Sequence, residues 1–152
     1  MGRLPDDPAA FVAAAERATN EYDLEAAAAV YARDAVMHSV TDGAEETHRG
    51  AEAIHTAWRG YFEGMRATGF HLSKELVSAE GDTIVNSYDS GFRDGRTGRG
   101  IETWRFDDDA KVREHHMYSF FEVRPSSNLV QQFRLLISYP RIALAFLRAT
   151  RR

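Results

Sequence analysis

Glu102 and His115 lie in the stretch from Ile101 to Phe121, IETWRFDDDAKVREHHMYSFF. A carboxyl beside an imidazole can transfer a proton near neutral pH when burial and mutual attraction tune the two groups. Burial raises a carboxyl pKa and lowers that of histidine, while their attraction opposes both shifts. The stretch reads as two antiparallel strands joined by an acidic turn. Alternation puts Glu102, Trp104 and Phe106 on one face of the first strand, and Arg113, His115, Met117 and Ser119 on one face of the second. If Phe106 pairs with Lys111 across the turn from Asp107 to Ala110, Glu102 falls directly opposite His115. A slip of one residue would oppose it to Glu114 or His116 instead. The bland alternative is a structural cross-strand pair, since perturbed pairs are enriched at sites without being confined to them.

Other reactive types are less well placed. Six histidines suggest metal, but His115 and His116 are adjacent on a strand and face opposite ways. His48 and His55 accompany no HExxH motif or carboxylate cluster with ligand spacing, so no metal and no cofactor are expected. Ser39 lacks the glycine pattern of a nucleophile elbow. GRTGRG joins strand to strand rather than strand to helix, which excludes a phosphate-binding turn.

The elements that must position these groups follow from caps and periodicity. Asp7 and Pro8 start a helix running through Phe11 to Thr19, and Asp23 caps a second running through the alanines to Tyr31. Asp34 to Val40 reads as a strand with Val36, His38 and Val40 on one side, and Thr41 to Arg49 as a loop. Gly50 and Gly69 bound a third helix whose stripe of Ile54, Ala57, Trp58, Tyr61, Phe62 and Met65 needs a partner layer. Strands follow from Phe70 to Ser78 and from Thr83 to Phe92, the second leading into the loop RDGRTGRG. Three helices and then antiparallel strands make an α+β domain. Beyond it, Ser127 or Asn128 caps a helical tail broken at Pro140, with Ile142, Ala145, Phe146 and Ala149 continuing its stripe. The expected divisions are a flexible N-terminus (1–7), the domain (8–124) and the C-terminal helical extension (125–152).

With 152 residues the chain suits one domain, and zero cysteines fit a reducing compartment. No apolar run approaches a membrane span, and the start lacks a secretory leader, which points to the cytoplasm. A net charge of −4 gives no footprint for nucleic acid. No acid follows Glu122, so the arginine-rich tail is basic and amphipathic. A lid, a strap across a partner, or an in-plane membrane anchor would suit it.

The order of elements, with the phrases DLEAAAAVYARDAVMHS, HRGAEAI and ETWRFDDDAKVREH, resembles the nuclear transport factor 2-like superfamily in its SnoaL-like branch. The resemblance runs from about Phe11 to Phe121. It implies a cone in which a curved antiparallel sheet wraps against three helices around an apolar pocket, often dimeric through the outer sheet face. Relatives include ketosteroid isomerases, polyketide cyclases, scytalone dehydratase, limonene epoxide hydrolase and non-catalytic members, so fold alone does not choose an activity.

Laid against ketosteroid isomerase, the family's general base corresponds to Ser39, its first-helix tyrosine to about Ala15, and its protonated aspartate to Glu102. Only the last keeps a carboxyl, which speaks against steroid isomerisation by that mechanism. Arg105 faces the wrong way for epoxide hydrolysis. The same comparison directs Ser87, Asp89, Glu102, Trp104, His115, Met117 and Ser119 into the pocket. Asp89 would add a second carboxylate to the catalytic pair. His38, Ser39, Trp58 and Phe62 complete the expected lining, and Asn86, Tyr88, Thr103, His116 and Tyr118 the outer face of a homodimer. The expected function is binding of a small hydrophobic, polyketide- or steroid-like molecule. The alternative is a cofactor-independent isomerase, cyclase or dehydratase using the Glu102–His115 pair.

Overall fold

The structure, a computed structural model, describes residues 2–124 and 128–149. The described residues fall into two compact units, divided between Glu122 and Val123. In the first, helices α1 (Pro8–Glu21), α2 (Leu24–Ala28) and α3 (Ala51–Thr68) accompany strands β1 (Tyr31–Thr41), β2 (Ala44–Arg49), β3 (His71–Glu80), β4 (Thr83–Gly91), β5 (Thr97–Phe106) and β6 (Val112–Phe120). The strands form one curved sheet in the order β2-β1-β6-β5-β4-β3. The α+β architecture is as expected, with β1 and β6 running parallel and the other neighbours antiparallel.

Local chemistry explains the elements. Asp7 accepts a hydrogen bond from the Ala10 amide at 2.9 Å, and Pro8 occupies the first turn of α1, where no N–H is needed. Ahead of this cap, the Arg3 amide donates to the Asp107 carbonyl at 2.8 Å. Gly69 ends α3 in the left-handed region at φ 65°, where a Cβ would be strained. Ile54, Trp58 and Phe62 on α3 pack with Met37, Ile84, Trp104 and Phe106 of the sheet in the main core.

Two expected elements are different. The second helix stops at Ala28, and Tyr31 begins β1 as a core residue. The alanine run has strong helix propensity, but a five-residue helix has little to hold it, and β-pairing to β6 starts at Tyr31↔Val112. The expected loop from Thr41 to Arg49 contains β2. Asp42 and Gly43 have φ 48° and 89°, so this Asp-Gly pair turns a tight hairpin and the polar residues after it pair with β1.

The second unit contains α4 (Leu129–Ser138) and α5 (Pro140–Ala149). Asn128 accepts from the Val130 amide at 3.0 Å as the start of α4. Ser127, the other expected cap, lies outside the described residues, as do the side chains of Ala145, Phe146 and Ala149. Among the described residues, no helix is long and apolar enough to cross a membrane.

Candidate functional site

The inner face of the sheet and α3 enclose a cavity of about 240 Å³. Trp58, Met65, Phe70, Leu72 and Met117 supply apolar wall, while Ser39, Tyr88, Glu102 and Ser119 supply polar groups. Exposed Ala44 and Glu46 on β2 stand at its rim. The Tyr61 hydroxyl donates to Glu46 Oε2 at 3.0 Å there; burial first, with the carboxylate as acceptor, raises its pKa to about 12.

Glu102 is the buried carboxylate of this cavity, and its immediate partner is Lys74. Lys74 Nζ lies 2.5 Å from Glu102 Oε2, with side chains only 1% and 3% exposed. The same oxygen accepts from Asn86 Nδ2 at 2.8 Å. Asn86 Oδ1 in turn accepts from Trp104 Nε1 at 2.7 Å, and because indole nitrogen only donates, the amide orientation is settled. Lys74 is aimed inward by α1: Glu16 Oε2 accepts its backbone amide at 2.6 Å, and Asn20 bonds both the N–H and the carbonyl of Leu72. The helix thus covers the otherwise open edge of β3 and fixes the strand's phase.

His115 is fully buried beside this group but does not line the cavity. Its ring stacks on Trp104 with centroids 3.5 Å apart, and Nδ1 lies 2.7 Å from the Tyr31 hydroxyl. Trp58 Nε1 donates to that hydroxyl at 3.1 Å. The hydroxyl's own proton has two acceptors in reach, His115 Nδ1 and Met37 Sδ at 3.6 Å, and the tautomer of His115 decides between them. Burial, reinforced by Lys74 and His116, pushes His115 well below the usual histidine range, so the ring is neutral near pH 7. Burial likewise raises the Tyr31 and Tyr88 hydroxyls.

The register expected between β5 and β6 is displaced by two residues. Glu102 pairs with Met117 and Trp104 with His115, because the ladder shifts between Arg105 and Phe106 and the turn closes through Asp107 and Lys111. A two-residue displacement preserves facing, so Glu102 and His115 still share the inner side. Glu102 Oε1 stands 3.8 Å from His115 Nε2, beyond hydrogen-bond length, and Nε2 has no hydrogen-bond partner among the described residues.

The phase expected for β4 is reversed. Ile84, Asn86, Tyr88 and Ser90 face inward, because Asn86 pairs with Glu102 and cross-strand partners share a face. Ser87 and Asp89 therefore face out, and Asp89, 75% exposed, pairs with Arg99 at 2.9 Å. It adds no carboxylate to the cavity. Tyr88 bonds Ser119 at 2.5 Å and lies over Gly100, where a Cβ would collide with its ring.

Ser39, Trp58, Met117 and Ser119 line the cavity as expected. Phe62 instead packs behind it on Trp58 and Tyr22, and Trp104 lines a separate hollow of about 80 Å³ with Ala14, Ala15, Ala18 and Lys74. Ala15, the position expected to correspond to the ketosteroid isomerase tyrosine, thus lies in the wall of that hollow and not of the main cavity. His38 faces out and stacks on His116 with centroids 4.5 Å apart. Lys74, Asn86, Tyr88 and Tyr31 are participants that the sequence reading missed. Lys74 shares strand parity with Leu72 and Leu76, a signal that was available; the others depended on strand phase and on the break in β1–β6 register after Tyr31.

The sequence model of the SnoaL-like domain matches residues 11–115. Among solved structures, a SnoaL-like protein of unknown function from Burkholderia thailandensis aligns at TM-score 0.60 and 21% identity, covering 77% of this chain and 98% of that one. A candidate polyketide cyclase from Sinorhizobium meliloti aligns at 0.56 and 21%, covering 75% and 94%. A computationally designed 17-OHP binder aligns at 0.55 and 21%, covering 75% and 92%. Among curated proteins, none matches the sequence.

Proposed function

Because the chain belongs to the SnoaL-like domain family, we propose that its interior cavity binds a small, largely apolar organic molecule carrying at least one hydrogen-bonding oxygen. The supporting observation is a cavity of about 240 Å³ with an aromatic and aliphatic wall interrupted by Glu102 and the Tyr88–Ser119 hydroxyl pair. At ~30 Å³ per water this is room for about eight waters, which suits a compact ring system, with larger polycycles reaching the Glu46 and Tyr61 rim. The shared framework of a candidate polyketide cyclase and a designed 17-OHP binder supports this reading.

Titration with phenolic and keto ring compounds, followed by Trp58 fluorescence in a Trp104→Phe background, tests the reading. Saturable quenching that disappears in Ser119→Phe, which fills the cavity without adding a second indole, supports it. Equal quenching in both proteins would sink it.

A second reading gives the bound molecule a reaction. Glu102 is a carboxylate facing the cavity and backed by Lys74 and Asn86, the placement needed for cofactor-free proton transfer in an isomerase, cyclase or dehydratase. His115, neutral and behind Trp104, would then orient the network rather than meet the ligand. Glu102→Gln separates the readings: retained binding with lost turnover supports catalysis, while absence of turnover in the wild-type protein across substrates that bind supports a carrier or sensor. Ile101, Tyr118 and Phe120, exposed outside, support a homodimer through the outer sheet face, checked by sedimentation of Tyr118→Glu. Zero cysteines support a reducing compartment such as the cytoplasm.

A further inference from the structure

The outer face of the sheet brings together three side chains that the cavity does not use. His38 on β1 sits directly across from His116 on β6, and Glu114, two residues before His116, shares its face. One ligand atom from each lies within 4.8 Å of the other two. We propose that His38, His116 and Glu114 form a solvent-accessible binding site for a divalent first-row transition metal ion, with Zn²⁺ the reference ion. Two imidazoles and one carboxylate make a donor set suited to Zn²⁺, with a position left for water.

The surroundings orient the donors. His38 Nδ1 bonds Thr47 Oγ1 at 3.1 Å, and in the tautomer in which Nδ1 donates, Nε2 carries the lone pair. Glu114 divides its oxygens: Oε2 takes Arg105 at 3.0 Å, while Oε1 faces His116 Nε2 at 2.9 Å. His116 first, with Arg105, holds this carboxyl below the usual glutamate range, so it is ionised near neutral pH. The two rings are almost parallel, at 12°. Converging both Nε2 atoms on one ion at about 2.0–2.1 Å requires both rings to rotate out of this stack and the ion to replace the proton between His116 Nε2 and Glu114 Oε1. In a single chain the His116 and Glu114 side chains are 27% and 32% exposed, so an ion can enter from solvent before the outer faces of two copies meet. Arg49, Arg105 and Arg113 with Asp34 line the same outer hollow; their excess positive charge lowers affinity, and because Arg105 holds Glu114 Oε2, the carboxylate would bind the ion through Oε1.

Strand pairing hid this set from sequence reading. His38 and His116 are far apart in the chain, and only the parallel β1–β6 register joins them. The proposal is independent of the ligand in the inner cavity, because the donors point to the opposite side of the sheet.

The test uses the full-length chain without an affinity tag. ZnCl₂ is titrated calorimetrically, Co²⁺ by visible absorption, and the histidine ring signals are followed by NMR. The expected result is one ion per chain, four-coordinate Co²⁺ absorption, and shifts of the His38 and His116 rings with His55 and His71 unmoved. His38→Ala and Glu114→Gln should each weaken binding at least tenfold, and Thr47→Val, which frees the His38 ring, by roughly tenfold. Circular dichroism of each variant confirms that the fold survives. Absence of binding, unchanged affinity in the His38→Ala/His116→Ala double variant, or shifts centred on His48 beside Glu46 would overturn the assignment.

Discussion

Replacing Lys74 with Met removes one charge from the most buried ion pair described and keeps an unbranched side chain of similar length. Lys74 and Glu102 are 1% and 3% exposed, so the screening that weakens surface pairs is absent. Taking away one partner leaves the other charge uncompensated, which costs about 3–5 kcal/mol in buried pairs. Asn86 still donates to Glu102, which places the expectation near the lower end, about 3 kcal/mol. The double variant Lys74→Met/Glu102→Gln has no orphan charge and should recover at least half of the loss. Urea unfolding at pH 7 of the wild type, both single variants and the double variant closes the cycle. A Lys74→Met loss below about 1 kcal/mol, the range of exposed pairs, would refute the buried-pair geometry.

Other perturbations probe neighbouring parts of the site. His115 has a depressed pKa when folded, so below the unfolded value of about 6.5 the unfolded chain binds the extra proton and stability falls with pH by up to about 1.4 kcal/mol per unit until the folded pKa is reached. Urea unfolding between pH 7 and 5 should show this acid loss in wild type and a smaller one in His115→Gln. Tyr31→Phe orphans Trp58 Nε1 and His115 Nδ1, and thermal or urea unfolding should register roughly 1–3 kcal/mol for each nitrogen. Gly100→Ala drives the Tyr88 ring toward the cavity at a cost of about 1–3 kcal/mol, and calorimetric titration should show weaker ligand binding with the fold intact.

What was legible in the sequence divides along physical lines. Helix limits at Asp7, Gly50 and Gly69 were readable because capping and left-handed turns are local chemistry. The β5 and β6 faces were readable because Trp104 and Phe106, then Met117, mark one parity unambiguously. On β4, Ile84 and Val85 are adjacent and equally apolar, so the phase was set by pairing with β5 and not by its own pattern. Glu102 was found as an inward carboxyl, but its partner was sought across the hairpin and lies on β3, two strands away. Register depended on a bulge at Arg105/Phe106, which no residue type there announces. His38 and His116 illustrate the same limit, since a parallel pairing of distant strands carries no turn to betray it.

The most direct measurement of the central claim is a ¹³C-methyl NMR titration of Met65 and Met117 with the ring compounds that quench Trp58. Both methionines line the cavity, whereas Met37 is fully buried away from it and serves as the internal control. The expected result is saturable shifts of Met65 and Met117 with Met37 little changed, and an altered affinity in Glu102→Gln. Shifts absent at both methionines under saturating ligand, or unaffected by filling the cavity with Ser119→Phe, would contradict an interior binding site.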